Sequence, residues 1–277
     1  MTRKIHISRR ALERLYYEEE QGQRAIAERF GCGEATVARR MGEYGMPTRR
    51  DRVQYRARSK QSSPRCRWTP EVAYAVGLIA SDGCLSADGR HIVFTSVDRE
   101  LVETFKRCLG LQNKIAPASP GGYSKRPIYR VQFGDTAFYD WLLEIGLMPN
   151  KTLALGELTV PDEYFADFLR GYLDGDGCIQ TYMDTYNMFK SEKYVYQRLF
   201  VRFFSGSQEY LQWLKDRLQQ LMGTRGAILN HRGAWELRFA KKDSLKLLHW
   251  MYYSPDIPCL ERKRNIAEPF LADRELD

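Results

Sequence analysis

The chain has 277 residues, 43% of them hydrophobic, with 13 Phe and 17 Tyr to fill a core, enough for one large domain or two to three small ones. No apolar run approaches the ~20 residues needed to span a bilayer, and no secretory segment follows the start. The six cysteines, Cys32, Cys66, Cys84, Cys108, Cys178 and Cys259, form no CxxC pair and no His stands at zinc spacing, so reduced thiols in a cytoplasmic protein away from any membrane are expected.

The net charge of +8 is unevenly placed. Residues 1–70 hold 17 Lys/Arg against 8 Asp/Glu, whereas residues 71–277 hold 26 against 27. A basic N-terminal quarter points to phosphate contacts and salt-sensitive binding. Within it, a helix from about Ser8 to Glu19 offers Leu12, Leu15 and Tyr16 to a core. A second helix runs from Gln23 to Phe30 and stops at Gly31; a third runs from Cys32 to Met41 with Val37 and Met41 on one face. This spacing alone specifies a small helical bundle, which could also dock a protein. Residues 8–46 further resemble a helix-turn-helix of the resolvase and regulator type. The resemblance implies DNA binding by residues 1–47, with the last helix in the major groove. Gly33, Glu34, Thr36 and Arg40 would then reach base edges, and Arg39 would face away from the core beside Arg40.

Residues 48–69 form a basic linker. Arg49, Arg50, Arg52, Arg56, Arg58, Lys60, Arg65 and Arg67 stand against Asp51 alone, and Ser62-Ser63-Pro64 breaks any helix. Such a segment could lie along a phosphate backbone or in a minor groove. It could equally be a disordered tether that raises effective concentration.

The remainder reads as α+β, in two halves of pattern αββαββα, residues 70–160 and 161–277. In the first half, helices are expected at Glu71–Ser81, Asp98–Leu109 and Asp135–Ile145. Strands are expected at Cys84–Ala87, His91–Ser96, Lys114–Ala116 and Ile128–Phe133, with Asp88-Gly89 as a two-residue hairpin turn. In the second half, the helices are Glu163–Gly175, Gln208–Met222 and Lys242–Tyr252. The strands are Cys178–Tyr182, Arg198–Ser205, Ala227–His231 and Trp235–Phe239. Met183–Gln197 reads as an inserted hairpin tip carrying Tyr186, Lys190, Lys193, Tyr194 and Tyr196.

One pattern opens both halves. Ala75-Val76-Gly77-Leu78-Ile79-Ala80-Ser81-Asp82-Gly83 returns as Leu169-Arg170-Gly171-Tyr172-Leu173-Asp174-Gly175-Asp176-Gly177. A carboxylate at a helix C-terminus sits at the negative end of the macrodipole, a penalty that a bound cation would remove. Gly77 and Gly171 would let two helices approach closely, and the terminal glycines suit a left-handed C′ position.

From about Trp68 to Ala272 the chain resembles the LAGLIDADG homing endonucleases in their single-chain form with both motifs. It departs at Ala80, where the family has another acid, kept in the second copy as Asp174; that acid is not a metal ligand in the family. The resemblance implies a monomer with two antiparallel sheets forming a saddle over duplex DNA. It also implies a Mg²⁺-dependent double-strand break across the minor groove, leaving 3′ overhangs in a long asymmetric target. Asp82 and Asp176 would bind the ions, helped by the main-chain oxygens of Ser81 and Gly175, and Lys241 would assist in the second half, with Lys242 fitting less well. The first half reads Phe133-Gly134-Asp135 at the corresponding place, so unequal strand rates are expected. Base-reading positions on the strands are Arg130, Gln132, Gln180, Arg202, Asn230, Arg232 and Arg238. Lys125, Arg126, Lys190 and Lys193 add DNA contacts from loops. The histidines, His6, His91, His231 and His249, are scattered and read as structural or surface groups. Two alternatives use the same fold without this cleavage. One is a DNA-binding regulator, since a sporulation-regulator family joins the two domains in the opposite order; the other is an intron RNA maturase.

Overall fold

The computed structural model describes residues 7–19, 21–44, 46, 63–118, 127–186, 195–231 and 233–272. Contacts divide the chain into two compact units, Met1–Gln61 and Ser62–Asp277.

The first unit is a three-helix cluster around Ile7, Leu12, Leu15, Ile26, Val37 and Met41, all nearly inaccessible to solvent. Helix α1 (Arg9–Glu13) starts at Ser8, whose Oγ accepts from the Ala11 N–H at 3.3 Å. It continues as a π-helical turn over Arg14–Glu18, so the expected first helix has the right extent but a wider winding at its end. Helix α2 (Gln23–Phe30) closes on Gly31 at φ 60°, a left-handed cap. Helix α3 (Glu34–Glu43) follows, and the Tyr44 hydroxyl then donates to the Ile7 carbonyl at 3.0 Å, closing the cluster.

The second unit repeats one plan twice. Its first half is α4 (Pro70–Asp82), β1 (Gly83–Leu85), β2 (His91–Ser96), α5 (Arg99–Cys108), β3 (Ala116–Ala118), β4 (Ile128–Gly134) and α6 (Thr136–Glu144). Its second half is α7 (Phe165–Asp176), β5 (Gly177–Asp184), β6 (Tyr196–Ser205), α8 (Gln208–Met222), β7 (Ala227–His231), β8 (Ala234–Phe239) and α9 (Lys241–Met251). A final helix, α10 (Glu261–Ala272), has no counterpart among the expected elements. The two antiparallel sheets have matching orders, β1-β2-β4-β3 and β5-β6-β8-β7. In each sheet one face is apolar and packed under helices: Ile92, Phe94, Val131 and Phe133 in the first, Val201, Phe203, Leu237 and Phe239 in the second. The β5–β6 ladder runs out to Asp184 paired with Tyr196, further than expected, and residues 187–194 of the inserted tip lie outside the described residues.

The segment before α4, read as linker, is fastened to the first half. The Arg65 guanidinium donates to Asp135 Oδ2 (2.9 Å) and to the Leu109 carbonyl (2.7 Å), and the Ser63 hydroxyl donates to the same carboxylate at 2.7 Å. Thr69 then caps α4 by accepting from the Val72 N–H, with Pro70 in the first turn, where no N–H partner is needed.

Helices α4 and α7 form the centre. A Cβ at Gly77 would lie 2.1 Å from the Phe168 carbonyl oxygen, and one at Gly171 would lie 2.0 Å from that of Tyr74. Only hydrogen fits there, so the two backbones touch. The terminal glycines do a different job from the one expected. Gly83 (φ −79°, ψ 157°) and Gly177 (φ −105°, ψ 171°) are extended, not left-handed, because each helix passes directly into a strand. A Cβ at Gly83 would press on the Ile79 backbone at 2.5 Å, and one at Gly177 on Leu173 at 2.6 Å. Close approach, not positive φ, demands glycine there. Replacing Gly77 or Gly171 by alanine is expected to cost about 3 kcal/mol or more through overpacking of main chain on main chain. Gly42→Ala in α3, where the added Cβ meets nothing within 4 Å, should stabilise by about 1 kcal/mol. Chemical denaturation of the three variants checks this, and equal effects would contradict the packing account.

Candidate active site

Because α4 and α7 pack backbone to backbone, their C-terminal ends arrive together. A Cβ on Gly175 would fall 1.9 Å from Ser81 Oγ and 3.2 Å from Asp82 Oδ2, so the carboxylate of one half faces the helix end of the other. Asp82 and Asp176 are the last residues of their helices and both are half-buried. Burial, and next the neighbouring Asp176, push the Asp82 carboxyl up from 3.8 to about 7. Asp176 is also raised by burial, and Lys151 and Lys263 hold that rise down.

Those two lysines are the residues that the sequence reading missed. Lys151 is buried, and its Nζ donates to the Ser81 carbonyl at 2.7 Å. Lys263 is buried as well, and its Nζ donates to the carbonyls of Leu173 (2.6 Å), Asp174 (2.9 Å), Gly177 (2.8 Å) and Gly175 (3.5 Å). Each half therefore places one ammonium on the carbonyl end of its own motif helix, where it offsets the macrodipole. Burial lowers both lysines; Asp176 and Asp82 oppose this at Lys151, and Asp174 opposes it at Lys263. The two main-chain oxygens expected as metal ligands, those of Ser81 and Gly175, thus already accept from an ammonium. Lys241 is the exposed first residue of α9, and the groups shifting Asp82 and Asp176 include Lys151 and Lys263 but not Lys241. The first half does possess a lysine at its acid. The signal for it was present: Lys151 and Lys263 both follow the αββαββα pattern of their half, after α6 and α9, and extending the internal repeat past those helices would have paired them.

The donor set fits a hard divalent cation. Among the described residues no three His, Cys, Asp or Glu side chains converge, so an ion here would rest on two carboxylates plus main-chain oxygen, water and substrate. That is the set Mg²⁺ favours. Two half-buried acids that resist ionising side by side are also what a cation would relieve.

Asp174, the acid with no equivalent in the first copy, is structural. Its Oδ2 accepts from the Tyr74 hydroxyl (2.7 Å) and from the Leu260 N–H (2.8 Å), and it is wholly buried, with burial raising its carboxyl to about 6. Ala80, in the same register of α4, is buried among apolar neighbours.

The expected base-reading positions divide by strand parity. Arg130 and Gln132 alternate with buried Val131 and Phe133, which puts them on the open face of the first sheet, with Arg130 donating to Gln132 Oε1. Gln180, Arg202 and Arg238 share the open face of the second sheet. Asn230 does not. It pairs with Trp235 in the same phase as Ile228 and Leu237, opposite to the face of Gln180, Arg202 and Arg238, and is exposed near the end of the strand; His231 takes the open-face phase in its place. In the first unit Glu34 and Arg39 are exposed on α3, while Thr36 and Arg40 are half-buried; Arg39 and Arg40 both pair with Glu43, at 2.8 and 2.6 Å. Arg49, Arg50, Arg52, Arg56, Arg58, Lys125, Arg126, Lys190, Lys193 and Arg232 lie outside the described residues.

Comparison with solved structures follows this geometry. The LAGLIDADG meganuclease I-AabMI, bound to uncleaved DNA, superposes with TM-score 0.50 at 16% identity, covering 74% of this chain and 90% of that one. The homing endonuclease I-WcaI, bound to its DNA recognition sequence, gives 0.50 at 14% identity, covering 78% and 92%. The fold is the LAGLIDADG homing-endonuclease fold. Full-length DUF199/WhiA from Thermatoga maritima gives a TM-score of 0.45 at 17% identity; the match covers 76% of this chain and 62% of that one, less than two thirds of its length. No protein-family model matches the sequence. Among curated proteins, an A-type ATP synthase polypeptide of Methanopyrus kandleri is 32% identical over 123 residues, which is 44% of this chain but 11% of that protein. The chain thus spans only a small part of that relative's length. No helix among the described residues is long and apolar enough to cross a membrane.

At this pair of carboxylates the pH dependence has a defined sign. A carboxyl raised from 3.8 to about 7 makes the folded state hold a proton that the unfolded chain has released. Stability without metal should therefore fall as pH rises through about 4 to 7. Asp82→Asn should flatten that fall and leave the variant more stable than the parent at pH 7.5. Thermal melts in chelator across this range measure it; parallel curves for the two proteins would contradict the assignment.

Proposed function

We propose that this chain is a site-specific DNA endonuclease that makes a metal-dependent double-strand break in a long, asymmetric target. One observation carries the reading: two carboxylates at the touching ends of two packed helices, each end bearing a buried lysine from its own half. Two acids at one pseudo-symmetric centre suit two phosphodiesters, one per strand. A divalent ion such as Mg²⁺, when bound, would lower the pKa of an attacking water and stabilise charge on the phosphate and leaving oxygen. Asp82 and Asp176 would hold it. Lys151 and Lys263 would keep positive charge beside the scissile phosphates and keep the acids' helix ends in place. With a lysine in each half, we expect comparable rates on the two strands. The open faces of the two sheets supply base contacts, in keeping with the DNA named for the two structural neighbours. The N-terminal unit acts as a helix-turn-helix that lengthens the footprint, with α3 as its groove-facing helix, and the protein works as a monomer inside the cell.

Incubation with Mg²⁺ and a duplex library, followed by sequencing of the ends, tests the reading. Paired ends at one recurring sequence are expected. Binding without cut ends would favour the non-cleaving regulator, and selective RNA binding the maturase. Asp82→Asn or Asp176→Asn should abolish double-strand cleavage with binding largely kept. Lys151→Met should slow cleavage by about 10² or more while the protein stays folded; full activity in any of these variants would overturn the assignment.

The N-terminal contribution has its own readout. Removing residues 1–60 should flatten the dependence of log K on log salt by about 0.9 for every phosphate those residues touch. An unchanged slope would mean that this basic unit contacts no phosphate.

A further inference from the structure

The open face of the second sheet carries a buried acid that the endonuclease chemistry does not use. Glu236 on β8 is 0% exposed, although it points to the face away from the helices. It is covered by the side chains that bind it. Arg202 donates through Nε to Oε1 at 2.6 Å and through Nη2 to Oε2 at 3.1 Å, and Arg238 makes the same two bonds at the same distances. His231 Nε2 also lies in close polar contact with Oε2. The carboxyl is held down near 2; burial opposes this, and the two guanidiniums prevail.

Arg202 and Arg238 are direct cross-strand partners, so their side chains stand next to each other. Aromatic rings fix each guanidinium plane: Arg202 lies over Phe204 at 5.2 Å and Arg238 over Phe200 at 5.8 Å. The Arg202 Nη1 reaches Gln180 Oε1 at 3.0 Å, and the Arg238 Nη1 has no hydrogen bond to a described residue. Both side chains retain outward surface, 20% and 35%. Two positive forks locked in orientation by one anion, with N–H donors still facing outward, form a rigid two-pronged donor. Guanine offers the matching acceptor pair, O6 and N7, in the major groove. Preorganised forks lose little entropy on binding and discriminate by geometry.

We propose that Arg202 and Arg238 read guanine in the half-site under the second sheet, and that Glu236 is a positioning residue which sets their geometry. This rests on the DNA-binding reading above. Among its described residues the first sheet has no such device: in the same register Val93 pairs with Gln132, and Arg130 stands where the second sheet has Glu236. The guanine preference therefore belongs to one half of the target.

The charge of Glu236 makes the test one of sign. Glu236→Gln adds one positive charge, so a purely electrostatic phosphate clamp would bind all DNA at least as tightly and keep its sequence preference. Positioning predicts instead that affinity for random duplex holds or rises while guanine preference falls about tenfold or more. Arg238→Lys, which keeps the charge and leaves Glu236 paired with Arg202, should lose the same preference and so tests the proposal even if the first variant does not fold. The measurement is selection of the full-length protein on a randomised duplex library in chelator, with sequencing of the bound fraction. Wild type should select guanine at one or two adjacent positions in one half-site, and the variants should relax those positions alone. Selection unchanged in Arg238→Lys, or weakened uniformly at every position, overturns the guanine assignment. A wild type that selects no sequence overturns the DNA reading itself, which is a different result.

Discussion

The contact between Gly77 and Gly171 is the constraint on which the rest of the body depends. The close approach continues to the last turn, where Gly175 lies against Ser81 and Asp82, so the two carbonyl ends meet. Each end is already the negative pole of a macrodipole, and each carries an aspartate. Four negative contributions in a half-buried space would not persist uncompensated. The two buried ammoniums follow from that electrostatic need, before any chemistry is considered. Their carbonyl partners at 2.6 to 2.9 Å tie the positive charge to the main chain, where it cannot swing away. Packing thus creates the charge problem that makes the centre suited to a cation and a phosphate.

The pseudo-symmetry breaks where chain connectivity differs. Lys151 lies on the short segment that joins the halves, held between α6 and α7. That segment is pinned by the Thr159 N–H donating to the Ile145 carbonyl at 2.8 Å and by the Ser207 hydroxyl donating to Leu155 at 2.6 Å. Lys263 lies on α10, beyond the last sheet. The second motif anchors that region. Asp174 accepts from the Leu260 N–H, while fully buried Arg170 donates to the Met251 and Pro258 carbonyls at 2.6 and 2.7 Å and to Asp167. Ala80 in the first motif has no such work. Asp174 thus ties the second motif to the start of α10, the helix that carries Lys263, and Ala80 can make no such tie.

Much of this was legible in the sequence, in proportion to how local the cause was. Period-3.6 and period-2 patterning specified the two αββαββα halves, and Gln208–Met222 and His91–Ser96 have their expected bounds. The paired acids were legible because the motif repeats. What escaped was set by distant contacts. Lys151 meets Ser81 across 70 residues, and Lys263 meets Leu173 across 90. No local window links them. Helix α10 was hidden because Pro269 and its charges mask a weak amphipathic pattern. Asn230 was misassigned by counting polar residues along β7 without fixing the phase that Ile228 imposes.

Under the proposed function, the near-neutral body bears on how a DNA sequence would be selected. A surface that held DNA by net charge alone would bind every sequence about equally, since phosphates carry no sequence information. Here the basic surplus lies in residues 1–70, and the body's arginines on the second sheet are spent largely on Glu236. Pairing reduces the field they project but removes their freedom to rotate. Burying that acid costs desolvation, which two bidentate guanidiniums offset only because both are held. A strand position that sacrifices charge for fixed orientation is poorly suited to general adhesion and well suited to discrimination. The separation of a basic N-terminal segment from a charge-balanced, rigid sheet face is thus the arrangement in which affinity and selectivity can be set by different parts of one chain.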